Sequence, residues 1–235
     1  MRCLSNEEIN HHMSRINSSL IKRNLIDDFA GHDLYHHARV ALLSLELMKK
    51  ESIPCDSLAL LISALLHDVH RLMSKDLVDY VTPVESIPIV LEIIEESSST
   101  VTSEQRDLIT ECIKRHDDYV AKKEEESDCP ELLLLQDADN LDALGLIGFV
   151  RTIQYGARLK KPFFSSSAEE NFNIFDYQEG SHISKSTVEH IRTKLLSLQS
   201  VMSTATAKNY AEERIIALTS LIREVEKGWT YGAIS

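Results

Sequence analysis

The sequence predicts an all-α protein, on two observations: chain-turning residues are scarce, and apolar residues recur at helical spacing along most of the chain. Seven glycines and five prolines in 235 residues amount to less than half their usual share, whereas sheet proteins need many turns. An apolar fraction of 43% and a charged fraction of 26% suit a globule with a sizeable core, read as a single domain over residues 1–235. No internal repeat and no Gly-rich phosphate loop is present.

The first helix is expected near residues 6–20, with Glu7 and Glu8 early and Ile9, Met13, Ile16 and Leu20 on one face. Gly31 breaks the pattern. In the next helix His36, Val40, Leu43 and Leu47 share a face, so His36 joins the buried stripe while His37 points elsewhere. Pro54 opens a central helix running through LALLISALLHD (58–68) and on to Val69 and Leu72. Pro83 and Pro88 bracket a turn into a helix near Ile89–Glu96, ended by the serines from Ser97. Thr102 and Gln105 have the spacing of a capping box for a helix whose inner face holds Ile109, Cys112, Ile113 and, one turn on, His116. KKEEESD (122–128) is a solvated loop. One long helix is expected over Leu132–Tyr155, with Leu132, Leu135, Asp139, Ala143, Leu146 and Val150 on its buried face and Gly156 at its end. Residues 157–182, with Phe163, Phe164, Phe172, Phe175 and Tyr177, form an irregular segment, either a lid over a site or a loop stapled to the core. Two closing helices, near 187–202 and 206–229, provide structural cover.

A net charge of −12 disfavours nucleic-acid polymers and anionic membranes, so an anionic substrate needs locally placed cations. No apolar run approaches the ~18 residues of a membrane span. The start, MRCLSNEEINHHM, lacks the apolar stretch of a signal peptide. Cys3, Cys55, Cys112 and Cys129 form no C-x-x-C pair and read as reduced thiols. Together these point to a soluble, cytoplasmic protein.

Four polar side chains fall where burial is expected. His67 and Asp68 end the apolar central run, His36 lies on a buried stripe, and Asp139 sits among leucines, with Asp142 one turn on. A buried carboxylate without a cationic partner costs several kcal/mol or is neutralised. Two imidazoles and two carboxylates suit one divalent ion (Mn, Mg, Fe, Ni or Zn), which would acidify bound water and hold a phosphoryl oxygen.

H-x-x-R-V at 36–40, HD at 67–68 and AD at 138–139 resemble the H…HD…D signature of the HD superfamily of metal-dependent phosphohydrolases. The longer strings GHDLYHHARV, ALLHDV, QDADNLDALGLIGFVRTIQYG and TKLLSLQSVMSTATAKNYAEER are similar to small stand-alone bacterial HD hydrolases, so the resemblance spans about residues 24–229. It implies an all-helical HD bundle with a core over about 24–156, the lid at 157–182 and C-terminal helices at 183–230. It also implies His36, His67, Asp68 and Asp139 as metal ligands. Asp137 is a rival to Asp139; it lies off the apolar stripe and is expected to hydrogen-bond beside the site. His32 and Asp33 are placed to orient the site from a helix start.

Some superfamily members add two histidines and a second or third ion. Here His70 is too close to the HD pair for the usual pattern, and His116 alone favours a mononuclear site with His116 as general acid or phosphate contact. Arg39, Arg71, Lys75, Arg115 and Arg151 are candidate cations for the substrate. Where related nucleotidases place an acid one turn past HD, this chain has Arg71, with Asp76 further on as the remaining candidate. The function implied is hydrolysis of a phosphate ester or anhydride of a small molecule, a nucleotide foremost. The competing functions are a non-catalytic nucleotide-binding module and a di-iron HD-type oxygenase.

Overall fold

A computed structural model describes residues 3–26, 31–74, 80–97, 100–118, 129–165 and 184–229. Every regular element among them is helical. Helix α1 (Asn6–Lys22) starts on a reciprocal cap between Ser5 and Glu8. Helix α2 (Leu34–Glu51) starts where the Asp33 carboxylate accepts the His36 N–H at 2.7 Å. Helix α3 (Ser57–Leu66) is capped by Asp56, which accepts from the N–H groups of Leu58 and Ala59. Pro54 therefore lies upstream of the helix it was expected to open.

Helix α3 is the axis of the fold. Every residue from Ala59 to Leu66 is fully buried, enclosed by α2, by α6 (Ser103–Arg115) and by α7 (Pro130–Asp142). Each leucine or isoleucine so buried contributes about 1.5–3 kcal/mol. The helix does not continue past the HD pair. It stops at Leu66, the chain turns through His67 and Asp68, and a short α4 (Val69–Met73) follows.

Helix α5 (Pro83–Ser97) begins at Pro83 and carries Pro88 inside it. Pro83 occupies the first helical position, where a missing N–H costs nothing. Helix α6 starts on the reciprocal Thr102–Gln105 cap.

The long helix expected over 132–155 is two helices, α7 and α8 (Gly145–Arg158). Gly145 takes φ +70 at the junction, a conformation that favours glycine. A Cβ on Gly148 would lie 2.0 Å from the Ala143 carbonyl oxygen, so the tight corner requires glycine there too. The break turns α8 away from the core, leaving Leu146 65% and Val150 45% exposed.

The closing region is also more broken than its periodicity suggests. Helix α9 (Thr187–His190) runs into a π turn (Ile191–Leu195), then a 3-10 turn (Leu198–Val201), then α10 (Ala205–Trp229). Helix α10 packs on α2, α7 and α8. Of the aromatic residues expected in a lid, Phe172, Phe175 and Tyr177 lie outside the described residues. Phe163 and Phe164 pack against the core, with the Phe163 ring 5.0 Å from that of Trp229. No helix among the described residues is long and apolar enough to cross a membrane.

Helix α1 is tied to α5 by Arg23, whose guanidinium donates to both oxygens of Glu96 at 2.7 and 2.6 Å. The Arg23 hydrogen bond holds the Glu96 pKa down to about 2, against 4.5 for a free glutamate. A depressed acid stabilises the fold above its unfolded pKa and loses that contribution as pH falls through the folded value. Glu96→Gln should therefore flatten the pH dependence of stability between about pH 4.5 and 2, and lower stability by a constant amount above pH 6, measured by urea unfolding across that range. An unaltered acid limb would refute the pairing.

Candidate metal centre and pocket

Asp33 starts α2 so that the next turn presents His36 inward. The end of α3 delivers His67 and Asp68 to the same point, and α7 brings Asp139 from the opposite side. His36 Nε2 lies 3.2 Å from His67 Nε2. Asp68 Oδ2 lies 3.2 Å from the first nitrogen and 3.4 Å from the second. Asp139 Oδ1 is 3.5 and 3.7 Å from the same two atoms. The two imidazoles and Asp68 are buried, while Asp139 keeps 25% of its side chain exposed.

The tautomers follow from the outer hydrogen bonds. His67 Nδ1 is 2.8 Å from the Ala64 carbonyl oxygen, which can only accept, so Nδ1 carries the proton. His36 Nδ1 is 2.8 Å from Asp142 Oδ2. Burial alone would raise the Asp142 pKa, but hydrogen bonds from His36 and Arg39 and the charge of Arg151 hold it well below the usual carboxylate range. In the neutral rings both Nε2 atoms then bear lone pairs and face each other beside two carboxylates. Four acceptors around one point repel unless a cation sits among them. The separations among His36, His67 and Asp68 match the edges of a coordination polyhedron with bonds of about 2.1 Å, roughly 3.0–3.4 Å, and the two to Asp139 are slightly longer. The donor set therefore fits a divalent ion. Burial opposes charge on His67, yet Asp68 and Asp139 outweigh it and push its pKa up to about 10, so a proton is drawn to the same place.

Asp142 acts behind His36. Besides that ring it accepts from Arg39 Nε and Nη2 at 2.6 and 2.9 Å and from Arg151 Nη1 at 2.7 Å. Groups that orient a ligand histidine are typically worth about 10–100-fold in metal affinity or activity. Asp142→Asn should therefore weaken metal binding by about that factor, read by titration against a metallochromic dye. An unchanged affinity would show that His36 needs no orienting partner.

Arg39, named from the sequence as a cation for substrate, is thus engaged with Asp142 and lies outside the pocket lining. His32 joins the site through Nδ1, 2.6 Å from Asp68 Oδ2. His37 is fully buried instead of pointing away, with its ring centroid 5.4 Å from that of His67. Asp137 does not bond beside the site. It accepts from the N–H groups of Ser203 and Thr204, both at 2.8 Å, ahead of α10. Arg115 pairs with Glu111. Lys75 and Asp76 lie outside the described residues.

The other oxygen of Asp68 faces a second group. His116 Nε2 is 3.5 Å and His70 Nδ1 4.0 Å from Asp68 Oδ1, and Asp68, His70 and His116 have donor atoms within 4.8 Å of one another. His70 comes close because the chain turns at residues 67–68 and α4 folds back. Arg71 Nε donates to the same oxygen at 2.9 Å. His116, with Nδ1 2.7 Å from the Ile113 carbonyl oxygen, stands behind Asp68 and is not part of the pocket wall. Its Nε2 faces Asp68 Oδ1 rather than the pocket at Asp68 and Asp139.

A pocket opens at Asp68 and Asp139, walled by His32, Arg71, Asp117, Arg151 and Tyr155 and by His190 and Lys194. The last two come from α9 and the π turn, a region read from the sequence as structural cover. Their only sequence signal is a histidine and a lysine four apart. π turns often occur at functional sites because they re-aim side chains.

A helical bundle with a buried histidine–carboxylate cluster fitted to a divalent cation, opening on a pocket lined by both basic and acidic side chains, defines a class of metal-binding hydrolase folds. Residues 33–144 match the HD domain family, so the chain carries an HD domain over that segment. YpgQ of Bacillus subtilis is 28% identical over 204 residues, covering 86% of this chain and 87% of YpgQ. A solved HD-superfamily hydrolase from Bacillus thuringiensis is 27% identical with a TM-score of 0.63, over 95% of this chain and 97% of that one. The solved YpgQ complex with ADP is 23% identical with a TM-score of 0.61, over 94% and 97% of the respective chains. At that identity it speaks for the fold.

Proposed function

We propose that this protein is a metal-dependent phosphohydrolase that cleaves a phosphate ester or anhydride of a nucleotide. The observation that carries the reading is the convergence of His36, His67, Asp68 and Asp139 within 3.2–3.7 Å, with Asp68 and Asp139 lining a pocket that also holds Arg71, Arg151 and Lys194. A divalent ion held by these four residues supplies Lewis acidity toward a phosphoryl oxygen and makes water acidic enough to attack. Ala64 and Asp142 fix the two imidazoles in the tautomer that leaves Nε2 available. Arg71 and Lys194, on the pocket wall, meet the charged oxygens of the substrate. Tyr155 and Leu198 offer an aromatic and an apolar surface to the rest of the molecule. ADP in the related YpgQ structure and the basic groups Arg71, Arg151 and Lys194 in the pocket wall support a nucleotide.

The test is phosphate release from nucleoside mono-, di- and triphosphates with Mn²⁺, with and without chelator. Chelator-sensitive turnover of at least one is expected. A folded, metal-loaded protein inactive across the panel would overturn the reading; thermal stabilisation by nucleotide without turnover would favour a binding module. The Asp68–His70–His116 group favours a second reading, a two-ion centre bridged by Asp68. Metal counting separates them: near one ion per chain for the four-residue site alone, near two for the bridged centre.

A further inference from the structure

The four cysteines, widely spaced in sequence, are not independent in space. Cys112, on the penultimate turn of α6, and Cys129, at the N-cap of α7, bring their sulfurs to 3.9 Å. Cys112 is fully buried and Cys129 half-buried, so an outside reagent reaches one member of the pair and not the other. Closing a disulfide needs the sulfurs to approach to about 2.05 Å, a movement within reach of side-chain rotation from this starting contact.

We propose that Cys112 and Cys129 form a peroxide-oxidisable pair, with Cys129 the sulfur that reacts first and Cys112 the one that resolves it. The surroundings of Cys129 separate the two roles. Contact with the Cys112 sulfur, in which either thiol can donate, and the Leu132 backbone N–H at the start of α7 together outweigh burial and pull its pKa down to about 7. Glu131, with Oε2 3.8 Å from the sulfur, works in the opposite direction. Cys112 is pushed up, first by its bond to Cys129 and then by burial, and stays a thiol. Cys55 also stays protonated, its pKa raised to about 12 by burial and by Glu131 and Asp56.

In the first step the Cys129 thiolate attacks one peroxide oxygen. The O–O bond breaks, Cys129 becomes a sulfenic acid, and the leaving hydroxide takes up a proton to give water. In the second, Cys112 loses its proton and attacks the Cys129 sulfur, the S–O bond breaks, and a second water leaves. Two thiols have given two electrons to one peroxide. The bond ties α6 to α7, the helices that carry His116 and Asp139, and one end of it lies four residues before His116. The inference does not depend on the proposed activity.

The test is thiol counting and non-reducing peptide mapping of the full chain after sub-millimolar hydrogen peroxide, quenched with an alkylating agent. The wild type should lose two of its four thiols, lose the mass of two hydrogens, and yield one cross-linked peptide containing Cys112 and Cys129 that dithiothreitol releases. Cys112→Ala should give a dimedone-trapped sulfenic acid at Cys129. Cys129→Ser, at the half-buried position, should slow thiol loss at least about tenfold, as expected when the reactive thiolate is removed. An unchanged thiol count in the wild type, a cross-link through Cys3 or Cys55, or wild-type rates in Cys129→Ser would each overturn the proposal.

Discussion

Asp68→Asn is expected to lower kcat about a thousandfold, the equivalent of ~4 kcal/mol of barrier, and to strip the metal while leaving the helical bundle intact. Asp68 is the residue on which the most site contacts meet. Oδ2 faces His36 and His67 and accepts from His32; Oδ1 accepts from Arg71 and faces His116 and His70. Burial alone would raise its pKa, but His67, His32 and Arg71 outweigh burial and keep it ionised. The amide removes the charge that balances those groups, so the cation loses a ligand and the surrounding rings lose their counter-charge. The losses fall on the site, because the shape of the side chain is kept and the apolar wall of α3 is untouched. Phosphate release, metal content by mass spectrometry and far-ultraviolet circular dichroism on one preparation check the three parts. A variant that keeps more than about a tenth of the activity with full metal content would mean Asp68 is structural.

Asp68 and its three neighbours His36, His67 and Asp139 stood out in the sequence because polar ligand types occupied apolar helix faces, a pattern that helical spacing alone exposes. The start of α6 was legible for the same local reason: Thr102 and Gln105 carry its cap within four residues. What the sequence hid depends on geometry that spacing does not encode. Apolar periodicity runs straight through the α7–α8 corner, so Leu146 and Val150 looked buried; only φ at Gly145 and the crowding at Gly148 break the helix. The turn after α3 is likewise invisible in the apolar run, and it is this turn that brings His70 beside Asp68. His190 and Lys194 lie far along the chain in a segment with ordinary helical patterning, and nothing in that patterning reports that they line the pocket. The sequence could not show that Cys112 and Cys129 touch, because neither helix start nor helix spacing reports which elements pack together.

Asp137→Ala tests the one carboxylate whose role the sequence misplaced, and its effect should fall on stability rather than on chemistry. Asp137 and Asp139 are two residues apart on α7 and so point to different sides of the helix. Asp139 turns to the metal centre; Asp137, fully buried, turns the other way and accepts two backbone N–H bonds, from Ser203 and Thr204, at 2.8 Å each. These bonds hold the chain as it enters α10, the helix that packs on α2, α7 and α8. Alanine removes two charge-assisted bonds and leaves two amide donors buried without acceptors, a loss of about 3–5 kcal/mol. For a chain of this length that is a fall in Tm of roughly 10 °C or more. Asp137→Asn keeps one amide oxygen as an acceptor and should lose about half as much. Thermal unfolding with metal present gives the stability, and activity per folded molecule should stay close to that of the wild type well below the transition. If the alanine variant unfolds like the wild type but loses its metal, Asp137 belongs to the cation site and the division of labour between the two aspartates is wrong.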